Sequence, residues 1–238
     1  MATDALFSWF EKVQGTIPWG DVLDAGTGDH SLGWLHTLST RSLTGVTVEA
    51  WRENSLRRIA PEARLVQGQW TDPALLWGQQ FDVVVVDYVI GAIDGHAPYF
   101  QYEFLRRLRP HVRARLYLAG MTPPPRDGGL LDEICRLRDA CILLAGHRCY
   151  REYPRELVIS WLEAADFSVL DSSEHPNVLG ARFVNGQLDV AKRKLPLFKD
   201  PVLAASMATH IEALRATALA RGPQTWGSDY VIAATARD

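Results

Sequence analysis

The sequence has few cysteines and little charge bias, and these shortages remove several classes of function. Its three cysteines, Cys135, Cys141 and Cys149, are an odd number with no framework spacing, so a disulfide scaffold is not expected. No Cys-x-x-Cys pair occurs, and no metal-ligand set is assigned. Basic excess is absent too. The net charge is −3 and the pI about 6.2, which does not fit a surface built for a phosphate backbone, so no nucleic-acid partner is expected. No apolar run reaches the roughly 20 residues a membrane helix needs, and the first ten residues lack a basic stretch followed by an apolar one. A cytoplasmic protein with no membrane partner is therefore expected. Cys135 and Cys141 lie in an apolar helical stretch and read as core.

What is present suits a folded α/β domain. The chain has 238 residues, 47% hydrophobic and 22% charged, enough to bury a sizeable core. Short β-branched runs alternate with helical patterns, the signature of βαβ units. Strands are expected at Asp21 to Asp24, Thr44 to Glu49, Ala63 to Gln67, Phe81 to Asp87, Ala114 to Gly120, Phe167 to Leu170 and Tyr230 to Ala234. Helices are expected at Phe7 to Val13, Ser31 to Ser39, Trp51 to Ile59, Pro98 to Leu108, Leu130 to Ala145, Glu156 to Ala165 and Pro201 to Arg221. No element is assigned to Ser172 to Lys194, and Lys192-Arg193-Lys194 reads as a solvated turn. No linker or repeat divides the chain. It reads as a single domain over residues 1–238, with 1–20 as an N-terminal lid and 121–155 as an insertion covering a substrate.

The chemistry centres on Val22-Leu23-Asp24-Ala25-Gly26-Thr27-Gly28-Asp29-His30. A strand ends in an acid, glycines let the backbone turn tightly beneath a ligand, and a helix N-terminus follows. A plain strand-to-helix turn is the alternative for these glycines. Two features argue against it. Glu49 ends the next strand, where a carboxylate can accept from both hydroxyls of a ribose. The run Phe81-Asp82-Val83-Val84-Val85-Val86 ends at Asp87-Tyr88, where an open α/β sheet offers its ligand crevice.

With Asp24 to Gly28, Glu49, Gly68-Gln69-Trp70 and Phe81 to Tyr88 in view, the chain resembles the class I S-adenosylmethionine-dependent methyltransferases. The resemblance covers most of the chain. It implies a Rossmann-like, doubly wound, mostly parallel sheet of seven strands in the order 3-2-1-4-5-7-6, with helices on both faces and the last strand antiparallel. It implies S-adenosylmethionine as cofactor. Gly26, Thr27 and Gly28 would pass under its methionine part near Asp24. Glu49 would hold the ribose, with Ala50 or Trp51 beside the adenine. Gln69 would meet the adenine amine and Trp70 the ring. Asp87 and Tyr88 would border cofactor and substrate. His30 stands where a third glycine is common, which argues against a dinucleotide oxidoreductase. It would cap the helix or approach the cofactor carboxylate.

The acceptor must be read from other segments. No Asn-Pro-Pro-Tyr-like run follows the fourth strand; in the family that run marks methylation of planar amide or base nitrogens. Asp94, His96 and Tyr99 follow instead, then Tyr102. A second polar cluster holds His147, Arg148, Tyr150, Arg151 and Tyr153. His96 and His147, with Asp94 and Tyr99, are the candidate catalytic groups, because imidazole titrates near neutrality. Tyr88, Tyr102, Arg148, Tyr150, Arg151 and Tyr153 are the candidate substrate contacts, and the arginines point to a carboxylate-bearing small molecule. The opposing reading is an ion-paired helix end in which Glu152 and Asp139 neutralise the arginines. The expected activity is methyl transfer to a small polar molecule by a monomer or homodimer. An aminopropyl-transferase-like enzyme and a non-catalytic S-adenosylmethionine-binding module are the alternatives.

Overall fold

The computed structural model describes residues 5–237. Seven strands form one sheet in the order β3-β2-β1-β4-β5-β7-β6. They are β1 (Asp21–Asp24), β2 (Ser42–Thr47), β3 (Arg64–Gln67), β4 (Phe81–Asp87), β5 (Val112–Met121), β6 (Phe167–Leu179) and β7 (Gln224–Ala236). The pairs β1·β2, β1·β4, β2·β3 and β4·β5 are parallel, and β7 runs antiparallel to both β5 and β6. The strand order and the antiparallel last strand agree with what the resemblance implies.

The Val run explains the centre of the sheet. Val83 and Val85 face one core, and Val84 and Val86 face the other. Both faces of β4 are covered, so the strand needs no polar alternation. One core lies under α1 (Ala5–Gln14), α2 (Asp29–Leu35) and α3 (Glu53–Ile59), with Phe7, Phe10, Leu32, Leu35 and Leu56 packed on the sheet. The other lies under α4 (Val89–Ala92), α5 (Gln101–Leu108) and α7 (Arg155–Ala164), with Ile90, Phe104, Leu105, Val158 and Leu162.

Three expectations need correction. Helix α1 is part of the core: Phe7 stacks on Trp34 at 4.3 Å, and neither it nor any other residue of 5–20 lines the pocket described below. Residues 1–4 of the expected lid lie outside the described residues. The helix expected at Trp51 to Ile59 opens as a 3-10 turn, Ala50–Arg52, and the one expected from Pro98 starts at Gln101.

The third correction is the largest. The unassigned stretch Ser172 to Lys194 holds the second half of β6 and a helix, α8 (Ala181–Lys194). With α9 (Pro201–Arg221) it forms a helical arm inserted between the two antiparallel strands. Lys192, Arg193 and Lys194 are the last turn of α8, favourable for cations beside the helix dipole, and Lys192 pairs with Glu212 at 2.9 Å. The arm packs on α6 (Leu130–Leu144) through a third core that includes Ile134, Cys135, Leu188, Ile211 and Leu214. Helix α6 thus serves the arm's core. Cys135 and Cys141 are buried there, as expected.

Because this third core is separate from the two on the sheet, its damage should stay local. Ile211→Ala is expected to cost about 2–5 kcal/mol of the arm's stability. Thermal unfolding should show the loss while the affinity for S-adenosylhomocysteine is retained; a matching loss of affinity would show that the arm supports the pocket.

Candidate functional site

The site forms where β1 and β4 lie side by side and their connections leave in opposite directions, the switch point at which open α/β sheets hold ligands. Backbone bonds fix the glycine turn to both neighbours. Ala25 N–H donates to Val85 O at 2.9 Å, and Thr27 N–H to Val46 O at 2.7 Å. A cavity of about 220 Å³ opens beside it.

The glycines do different work. A side chain on Gly26 would meet Val89 Cγ2 at 2.2 Å, so Gly26 allows the turn to pack against the start of α4. A Cβ on Gly28 would meet nothing within 4 Å, so its backbone faces open space at the N-cap of α2. Thr27 also lines the cavity.

The rest of the wall comes from neighbouring strand ends. Glu49 lies past β2, beside Arg52 of the 3-10 turn, and the two form an ion pair. Gly68, Gln69 and Trp70 follow β3. The Trp70 indole donates to Ala25 O at 2.7 Å and meets Phe104 edge-on, so its ring is fixed as a wall. Asp87 ends β4, and the face of Val89, Ala92, Ile93, His96, Ala97 and Phe100 closes the far side. Tyr150 reaches in from the loop before α7 and is the one residue of 121–155 on the lining.

Several residues expected at the site are elsewhere. Asp24 is fully buried behind the turn, and Ser31 Oγ donates to its Oδ2 at 2.7 Å. Burial drives its pKa up to about 7, against the pull of Ser31, Thr27 and the Gly26 N–H. His30 turns to the Phe7 ring at 4.7 Å. Ala50 opens the 3-10 turn without lining the cavity, and Trp51 is exposed beneath a stacked Arg52. Tyr88 holds a left-handed backbone, φ 53°, which turns it toward the α1 core. His147 meets Lys194 Nζ through Nδ1 at 2.8 Å, and Tyr102 carries Arg106 over its ring. Tyr153 packs edge-on to Trp161.

Asp94, Tyr99, Arg148 and Arg151 come together, but as a clasp between two loops. Asp94 is 2% exposed and accepts from Tyr99 N–H and Gln101 Nε2 at 3.2 and 3.3 Å. Arg148 and Arg151 approach its Oδ2 at 3.7 and 4.0 Å, and both guanidiniums lie over the Tyr99 ring. Asp94 thus takes the neutralising role the sequence offered to Glu152 and Asp139.

Sequence reasoning missed Arg52 and, His96 apart, the face that runs from α4 to Phe100. The signal for the face was there: Val89, Ala92, Ile93, His96, Ala97 and Phe100 recur at helical spacing.

No protein-family model matches the chain, and no curated protein matches it in sequence. Solved structures do match in shape. YcgJ of Bacillus subtilis is 15% identical with a TM-score of 0.61, covering 98% of this chain and 98% of its own. The 1,6-didemethyltoxoflavin N1-methyltransferase of Burkholderia thailandensis, solved with 1,6-didemethyltoxoflavin and S-adenosylhomocysteine, is 17% identical, with a TM-score of 0.53 over 100% of this chain and 79% of its own. The cyclase SpnF is 13% identical, with a TM-score of 0.56 over 97% and 80%. The fold is that of the class I methyltransferases. It also carries other chemistry, so activity must be argued from the site.

Two outcomes test this geometry. Gly26→Ala should lower the unfolding temperature, because Val89 must move, whereas Gly28→Ala should leave it unchanged and still weaken S-adenosylhomocysteine binding in calorimetry. Equal unfolding temperatures for the two variants would contradict the assigned roles. Asp24 gives the second. The folded protein holds its proton to about pH 7, while the unfolded chain releases it near 3.8. Between those values the folded state binds more protons, so stability falls as pH rises through the window. Asp24→Asn should remove that component in chemical unfolding followed from pH 4.5 to 7.5; identical pH profiles would show that burial does not hold the proton.

Proposed function

We propose that the chain is an S-adenosylmethionine-dependent methyltransferase acting on a small polar molecule. The observation that carries this reading is the convergence of Gly26 to Gly28, Glu49, Gln69 and Asp87 on one cavity at the switch point. The residues present fit the cofactor. Gly28 leaves open space for its methionine part, and Glu49 stands past β2 for the ribose hydroxyls. Gln69 offers an amide to the adenine amine between apolar walls that include Trp70, Ile93 and Phe100.

The cofactor supplies an activated methyl group on a sulfonium. The chain's own residues hold and orient it and keep water out, which is most of what an in-line displacement requires. Glu49 must exchange Arg52 for the ribose, which makes Arg52 a latch beside the pocket. His96 is the one histidine on the lining and the candidate to hold a proton of the acceptor. A carboxylate on the acceptor is supported only through the donors of Arg148 and Arg151 that Asp94 leaves available.

Glu49→Ala should weaken S-adenosylhomocysteine binding about ten- to a hundredfold in calorimetry, the value of one or two charge-assisted hydrogen bonds. Unchanged affinity would remove Glu49 from the ribose. Release of S-adenosylhomocysteine from S-adenosylmethionine in the presence of acceptor candidates tests the transfer itself and separates it from a binding-only module.

A further inference from the structure

Glu152 and Tyr230 are two polar side chains that the donor pocket does not use. Both are lodged where a glycine leaves room. A Cβ on Gly91 would meet the Glu152 carboxylate oxygens at 2.3 and 2.4 Å, and one on Gly120 would meet the Tyr230 hydroxyl at 2.4 Å. Gly91 lies on α4, on the side opposite Val89, Ala92 and Ile93, which line the donor pocket. Gly120 is next to last in β5 and pairs with Tyr230 of β7. The two groups therefore stand over the C-terminal end of β5, across α4 from the donor.

Neither group has a hydrogen-bond partner within the described residues, and neither is among the side-chain atoms sealed from solvent without one. Tyr230 is 1% exposed, yet its hydroxyl is not among the sealed atoms that lack a partner. The Glu152 carboxylate makes no ion pair among the described residues either. Oxygens that solvent reaches and no protein donor occupies are open to a donor on a ligand. The fold goes further and holds the Glu152 loop in place, through Arg151 N–H donating to Gly91 O at 3.1 Å.

The local charge is negative. Asp229 acts on Glu152 as a second acid. The cation that opposes this charge is Arg138, whose guanidinium also bonds Asp139 Oδ1 at 2.8 and 2.6 Å and Gln187. Burial lifts the Glu152 pKa to about 7, and its charge helps raise that of Tyr230, so the two groups feel each other. A cation or amine between them would relieve both.

We propose that Glu152 and Tyr230 form the acceptor subsite and that it takes the amine or ammonium group of the methyl acceptor. The inference rests on the methyl-transfer reading, which needs an acceptor held at this edge of the sheet. The carboxylate accepts N–H bonds from the ligand, and the phenol oxygen accepts another. The subsite selects for a nitrogen-bearing small molecule by charge, whatever the rest of that molecule is.

Ethylammonium chloride tests the subsite without assuming a scaffold. It is titrated into the full chain loaded with S-adenosylhomocysteine, with ethanol and sodium chloride as controls. The reading is the NMR signal of 13C-labelled tyrosine rings, with Tyr230 identified by Tyr230→Phe. Ethylammonium should shift the Tyr230 signal saturably, the controls should not, and Glu152→Gln should weaken the effect about tenfold or more. No saturable shift, or equal affinity in Glu152→Gln protein of unchanged unfolding temperature, overturns the proposal. If S-adenosylhomocysteine itself does not bind, the cofactor reading fails separately, and the same titration of the unloaded chain still reads the subsite.

Discussion

The close approach of the glycine turn to the first turn of α4 is the constraint on which the site depends. Val89 Cγ2 stands where a Cβ of Gly26 would be. That contact draws together the exits of β1 and β4, which leave the sheet toward opposite faces. A larger residue at 26 would push α4 outward and move Ile93, His96, Ala97 and Phe100 with it, since all stand on the same face. The pocket is therefore not carved into a finished fold. Its width is set by the same contact that closes the core between β1 and α4.

The residues whose role depends on strand ends were legible in the sequence. Gly28, Glu49 and Gln69 follow a strand by a few residues and Asp87 ends one, and a parallel sheet brings such ends to one edge whatever else happens. Residues whose role depends on loop-to-loop contact were not. Asp94 looked like a catalytic acid because it lies near the donor in sequence. It is buried instead beneath two arginines more than fifty positions away, and no local pattern encodes that pairing. Asp24 misled for the opposite reason. It sits inside the motif, yet its side chain points behind the turn and accepts from Ser31 at the start of α2.

The helical arm shows a second limit. Residues 171–179 read Asp-Ser-Ser-Glu-His-Pro-Asn-Val-Leu, with little β-branched content and a proline. Propensity alone would not make a strand there. The pairing with β7 does: the ladder runs from Phe167↔Ala236 to Leu179↔Gln224, with irregularities at Val169/Asp171 and Pro176/Val178 that absorb the mismatches. Proline is tolerated because β6 is the edge strand. The long ladder then carries α8 and α9 away from the sheet to the third core with α6, so a stretch that looks featureless supports an entire layer.

The carboxyl edge of the sheet also concentrates acids under burial. Asp24 and Glu152 both have pKa values lifted to about 7 by loss of solvent, on either side of the β4 exit. A core built for stability alone would not keep them, since each favours the unfolded state at neutral pH. Asp24 recovers part of this cost through Ser31 and the glycine turn it steadies. Glu152 has no such local partner, and two glycines are placed to admit it and its neighbour Tyr230. A carboxylate held at a cost, on glycines that make room for it, next to the place where a sheet of this order holds ligands, is the arrangement expected when the missing partner arrives with the substrate.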